Sequence, residues 1–138
     1  MDATIKWKED VCFEATSGSG HQILIDGAPD AGGNNAGMRP MEAVLIGMGA
    51  CSAFDVVGIL KKGRAELVTC EVDLSAKRDT NIPKVFTHIH MHYRVAGAKL
   101  RDSQVARAVD LSARKYCSAT AMLEKTAEVT FDYEILTP

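Results

Sequence analysis

Four cysteines stand at positions 12, 51, 70 and 117, and a thiol is a side chain that can act as a nucleophile or change redox state. None lies in a C-x-x-C pair, which sets aside a zinc ribbon and a thioredoxin-type motif. Their flanks separate them. Cys12 and Cys70 lie within strand-like runs and read as small buried hydrophobes. Cys51 falls inside a helical pattern, in Gly47-Met48-Gly49-Ala50-Cys51-Ser52. At about 100° per residue, Val44, Gly47, Met48, Asp55 and Gly58 share its face to within roughly 60°. The glycines leave space beside the sulfur for a substrate or a neighbouring helix. A helix interior supplies no dipole to lower a thiol pKa, so activation of Cys51 requires a nearby cation or hydrogen-bond donor. Cys117 stands where a new helix begins. Free N–H groups there favour a thiolate, and Arg114 and Lys115 lie just upstream. At both positions a buried structural thiol is the alternative.

Three histidines, His88, His90 and His92, alternate along one strand and project from one face. Successive members are about 7 Å apart, which strains ligation of a single ion by all three. The opposite face carries Val85, Thr87, Ile89, Met91 and Tyr93, so the histidines read as the solvent side of a two-faced strand and no metal site is expected. The Gly27–Gly37 loop precedes a helix N-terminus but contains neither a Walker-type nor a dinucleotide-type glycine pattern. It reads as a connection.

The elements that must position these residues follow from periodicity. Ala3–Lys8, Val11–Thr16 and His21–Asp26 read as three short strands separated by turns at Glu9-Asp10 and Ser17–Gly20. Pro40 suits the first turn of a helix that runs to about Lys62 and is apolar on nearly every face, as a buried helix is. Gly47, Gly49 and Gly58 each cost such a helix about 1 kcal/mol relative to Ala, so close approach of another backbone, with a partner subunit covering part of the helix, is expected. Ala65–Arg78 and Lys84–Val95 read as two long strands, Arg101–Tyr116 as an amphipathic helix, Ala119–Lys125 as a short helix capped by Ser118, and Glu128–Leu136 as a final strand. The order is βββ-α-ββ-αα-β, an α+β layout with mostly antiparallel strands.

The 138 residues fit one domain, 1–138, and are 46% hydrophobic and 25% charged, as in an ordinary folded protein. A net charge of −2 lacks the basic footprint of a nucleic-acid binder and the polybasic segment of a membrane-surface protein. The longest uncharged stretch, Ala43–Phe54, falls short of the roughly 20 residues that cross a bilayer. The charged N-terminus is unlike a secretory signal, so a cytoplasmic, reducing location is expected.

The run Gly32-Gly33-Asn34-Asn35-Ala36-Gly37-Met38-Arg39-Pro40-Met41-Glu42-Ala43-Val44-Leu45, leading to Gly49-Ala50-Cys51, resembles the OsmC/Ohr family of small bacterial hydroperoxide-detoxifying proteins. Tyr116-Cys117-Ser118-Ala119 falls where that family has its second redox cysteine. Asp55-Val56-Val57 and Ile59-Leu60-Lys61-Lys62 resemble the branch often called YhfA-like.

The resemblance implies an intertwined homodimer with two long central helices packed in its middle. It also implies a thiol peroxidase cycle acting on small or organic hydroperoxides, without metal or other cofactor. In that cycle Cys51 attacks the O–O bond and becomes a sulfenic acid, Cys117 condenses with it to a disulfide, and an external dithiol restores the pair. The well-studied peroxidases of the family place Glu directly after the helix-starting Pro, and an Arg from the N-terminal strands pairs with the thiolate. Here Met41 holds the Glu position, Glu42 is one residue on, and Ser17–Gly20 contains no Arg. Arg39, Glu42 and Asp55 are the candidate supporting residues, with Asp55 expected to raise the Cys51 thiol pKa if charged and close. A dimeric protein of the same fold that binds ligands, or senses or handles thiol chemistry, without peroxidase turnover is the alternative.

Overall fold

The structure, a computed structural model, describes residues 1–137. The chain divides into two compact units, Met1–Ile46 and Gly47 onward. In the first unit, β1 (Ala3–Glu9), β2 (Cys12–Ser17) and β3 (Gln22–Ile25) form an antiparallel meander in that order. Its register aligns Ile5 with Ala15 and Ile23, and Trp7 with Phe13 and Ile25, giving the sheet one apolar face. Asp10 takes a left-handed conformation (φ 47°) in the β1–β2 turn, a position aspartate tolerates better than most residues.

Beyond β3 the Gly-rich segment is a built loop. Asp26, 1% exposed, accepts hydrogen bonds from the amides of Gly27 (2.7 Å), Asn34 (3.0 Å) and Ala36 (3.0 Å). Gly37 passes so close to the Leu24 carbonyl that any Cβ there would collide with it. A single bridge between Ile25 and Met38 then leads into α1 (Pro40–Lys62).

In the second unit, β4 (Glu66–Arg78), β5 (Phe86–Ala98) and β6 (Glu128–Leu136) form one sheet with β5 central. β4 and β5 are antiparallel, whereas β5 and β6 run parallel, because two helical segments carry the chain back between them. Ile89, Met91, Tyr93 and Val95 of β5 are at most 1% exposed and form the core row, packed in a unit that also buries Val105, Ala108 and Val109 of α2 (Asp102–Leu111). The alternation breaks at both ends of the pairing with β4, and near Leu67–Thr69 the shift leaves Val95, Ala96 and Gly97 buried in succession. A register shift near Lys77–Arg78 places Phe86 in the buried set and leaves Thr87 only half-buried, so Phe86 replaces the expected Thr87 in the core row.

By length and mean hydropathy (2.0), α1 would be able to cross a membrane, but it packs as a protein helix. Its buried residues in the second unit are Met48, Gly49, Ser52, Val56 and Leu60. A Cβ at position 49 would stand 2.5 Å from Leu74 Cδ1, so that glycine is the close approach to β4. Gly47 and Gly58 face open space within the chain.

The expected Arg101–Tyr116 helix is not continuous. The α-helix α2 stops at Leu111, and Ser112–Tyr116 form one π-helical turn. The next helix, α3 (Ser118–Leu123), is capped by Cys117 rather than by Ser118: the Cys117 sulfur accepts the Thr120 amide at 3.4 Å.

Candidate active site

The site residues of the second unit come from three elements. Cys51 and Ser52 lie on α1, Tyr93 on the central strand, and Ser112 and Cys117 at the two ends of the π turn. Extra residues in a single turn of this kind are frequent at functional sites, because they re-aim the side chains beyond them. Here the Cys117 amide donates to the Ser112 carbonyl at 2.9 Å, closing the turn, and Cys117 is carried onto α1. The Cys117 thiol faces the Met48 carbonyl (3.9 Å) and the side chain of Cys51. The two cysteines singled out in the sequence are thus neighbours. Cys117 is 3% exposed and Cys51 is half-buried.

A buried hydroxyl cluster ties this corner together. Ser52 Oγ hydrogen-bonds the Tyr93 hydroxyl and, at 2.8 Å, Ser112 Oγ. Ser112 Oγ also lies 3.0 Å from the Ser52 carbonyl and 3.4 Å from Asp55 Oδ2, either of which can accept its proton. Burial pushes the Tyr93 phenol up to about 12, with the Ser52 hydrogen bond acting the other way, so it stays protonated. Ser52 and Ser112 occupy polar positions inside apolar helical runs, and that mismatch is the signal that marks them. Sequence reasoning passed over them, and over Tyr93's hydroxyl.

The Cys117 thiol is held above its ordinary range mainly by burial and also by the neighbouring Cys51, while the Thr120 hydroxyl and amide pull in the opposite direction. Arg114 and Lys115 are turned elsewhere. Arg114 Nε donates to Asp110 (2.6 Å) and its guanidinium lies over the Phe131 ring, and the Lys115 amine lies over Tyr116. Proximity in sequence does not make them thiolate partners, because a helical side chain's direction is set by its phase.

Arg39 and Glu42 belong to the first unit and have structural occupations there. The Glu42 carboxylate accepts the Arg39 amide at 2.8 Å, the reciprocal half of a capping box at the start of α1. The Arg39 guanidinium donates to Asn35 Oδ1 (3.0 Å) and the Gly37 carbonyl (3.1 Å). Asp26, which draws this loop together, was not singled out in the sequence. The Ala36 amide chiefly, with those of Asn34 and Gly27, holds its carboxyl below the usual range against the opposing effect of burial.

Cys70 sits on the inner row of β4, half-buried, with its thiol raised by burial and by Glu71; Cys12 is buried in β2. The histidines lie on the outer face of β5 against β6: His90 and His92 share Asp132 Oδ1 (3.0 and 2.7 Å), and His88 faces Glu128 at 3.5 Å. Among the described residues no three His, Cys, Asp or Glu side chains are grouped as metal ligands.

Comparison with known proteins agrees with the architecture. The family described as OsmC-like protein matches residues 32–132. Protein YhfA of Escherichia coli (strain K12) is 50% identical over 139 residues, covering 99% of this chain and 98% of that protein. The crystal structure of an OsmC-like protein from Mycoplasma pneumoniae superposes with a TM-score of 0.82 at 18% identity, covering 98% of this chain and 96% of that one. The organic hydroperoxide resistance protein OhrB of Bacillus subtilis shares the fold with a TM-score of 0.64 at 18% identity, covering 97% and 98%. The chain belongs to the OsmC/Ohr family, on its YhfA-like branch.

Proposed function

We propose that the protein is a cytoplasmic thiol-dependent peroxidase that reduces organic or small hydroperoxides through Cys51 and Cys117. The observation that carries this reading is that the end of the π turn lays Cys117 against α1, its thiol on the Met48 carbonyl and beside Cys51. Cys51, the more accessible, attacks the terminal peroxide oxygen as a thiolate. The O–O bond breaks, the alcohol or water leaves with a proton, and Cys51 becomes a sulfenic acid. Cys117 displaces the hydroxyl as water and forms the disulfide, which an external dithiol reduces. No bound metal or organic cofactor takes part. Arg39 and Glu42 are engaged in the loop and cap, and Met41 holds the position where well-studied relatives have Glu, so turnover is slower than in relatives that pair the thiolate with Arg and Glu.

The active form is a homodimer in which a second copy covers α1. Support comes from the helix itself, which exposes Ile46 (54%) and Phe54 (81%) and has open space at Gly47 and Gly58.

Treating the reduced protein with cumene hydroperoxide and mapping its thiols by mass spectrometry tests the reading. Loss of two thiols to a Cys51–Cys117 disulfide is expected, with no reaction in Cys51→Ser and a dimedone-trappable sulfenic acid in Cys117→Ser. Retention of all four free thiols would leave the fold as a binding or sensing module.

A further inference from the structure

One buried polar group takes no part in the proposed peroxidase cycle. Thr120 is 1% exposed and, among the described residues, its Oγ1 has no hydrogen-bond partner. A buried hydroxyl left in that state is costly. It belongs to the residue whose amide already donates to the Cys117 sulfur at 3.4 Å. The two cysteines also differ in access, with Cys117 at 3% exposure and Cys51 half-buried.

We propose that the reducing dithiol attacks the sulfur of Cys51 in the oxidised protein, and that Cys117 is the leaving thiolate, received by the amide and hydroxyl of Thr120. This rests on the Cys51–Cys117 disulfide of the proposed cycle. The incoming thiolate forms a bond to Cys51 Sγ, the protein S–S bond breaks, and its electron pair stays on Cys117 Sγ, which then takes up a proton. The reductant's second thiolate attacks the reductant sulfur bound to Cys51, closing a disulfide within the reductant. Cys51 is released as a thiolate and takes up the second proton. Two electrons pass from the dithiol to the protein, and the two protons that the dithiol loses are balanced by the two that the cysteines gain.

Access directs this order. Thiol–disulfide exchange needs approach along the S–S axis, and within the chain Cys51 is half-buried whereas Cys117 is 3% exposed. Thr120 then eases the departure. Burial, the largest effect, opposes charge on Cys117 and keeps its thiol above the ordinary range, while the Thr120 hydroxyl and amide act the other way. Once Cys51 is bonded to the reductant its own negative charge cannot arise, so Thr120 lowers the cost of a leaving thiolate that burial alone opposes.

The test begins from protein oxidised with diamide, so that it does not depend on peroxide chemistry. A brief pulse of β-mercaptoethanol, quenched in acid and mapped by peptide mass spectrometry, is expected to place the adduct on Cys51 at least tenfold over Cys117. A majority on Cys117 would overturn the proposal. Thr120→Val is expected to slow reduction by dithiothreitol about tenfold, and Thr120→Ser to restore it to within about twofold. Unchanged reduction in Thr120→Val would remove Thr120 from the step. If diamide forms the disulfide but cumene hydroperoxide does not, the peroxidase reading fails while the direction of reduction is still read. If diamide forms none, both fall.

Discussion

The two sheets of this protein are written in the same alphabet and treated differently. In the β1–β3 sheet, Ile5, Trp7 and Ile23 are 61%, 65% and 46% exposed. In the β4–β6 sheet the equivalent inward row, Ile89, Met91, Tyr93 and Val95, is at most 1% exposed. Alternation decides which face of a strand is apolar, but it does not decide whether anything covers that face. In the second unit the buried sides of α1 and α2 supply cover. The meander presents an apolar face to water, and apolar patches of that kind mark interaction surfaces.

Core truncation should separate the sheets most sharply. Met91→Ala is expected to cost about 2–5 kcal/mol in urea unfolding, because it empties a site with no access to solvent. Ile5→Ala, on the exposed face, is expected to change unfolding of the dilute protein by less than about 0.5 kcal/mol. Equal costs would show that β1 is as well covered as β5. A smaller change in stability, but a twofold change in mass, should follow Phe54→Asp: light scattering is expected to find a dimer for the wild type and a monomer for the variant. A wild-type monomer at micromolar concentration would mean that the exposed faces serve some other partner.

The smallest effects lie in pH, and the units should respond with opposite sign. In the first unit Asp26 has a lowered pKa, chiefly from the Ala36 amide, so its contribution is full above its ordinary 3.8 and lost as pH falls through the folded value. In the second, His92 is raised, chiefly by its hydrogen bond to Asp132, so its contribution is full below its ordinary 6.5 and lost as pH rises through the folded value. Asp26→Asn should therefore flatten the acid limb of a stability–pH profile, and His92→Asn the limb that begins above pH 6.5. A profile unchanged by either variant would sever that carboxylate or imidazole from folding.

Element order was legible because strand and helix periods differ so strongly, and the cysteine pair because its local motifs resemble a known family. What escaped turned on single residues. The shift that exchanges Thr87 for Phe86 in the core row inserts one residue, and a period of two cannot announce where it will slip. The π turn hides in an amphipathic pattern in the same way. Arg114 and Lys115 were close to Cys117 in sequence, but their directions were fixed by Asp110, Phe131 and Tyr116. Asp26 is an acid beside glycines, and only the folded loop reveals three amides converging on it.

The turn between Ser112 and Tyr116 also acts as a phase shifter. A regular α-helix bonds each amide four residues back, whereas Cys117 bonds five back, to Ser112. A turn bonded five residues back takes in one more residue than a turn bonded four back, so the extra residue is absorbed in the width of the turn. If the same residues were wound as a regular α-helix, Cys117 would be turned by about 100° and carried off Cys51, although every residue type was retained. The placement of this corner is therefore encoded in how a fixed count of residues is wound as much as in their composition.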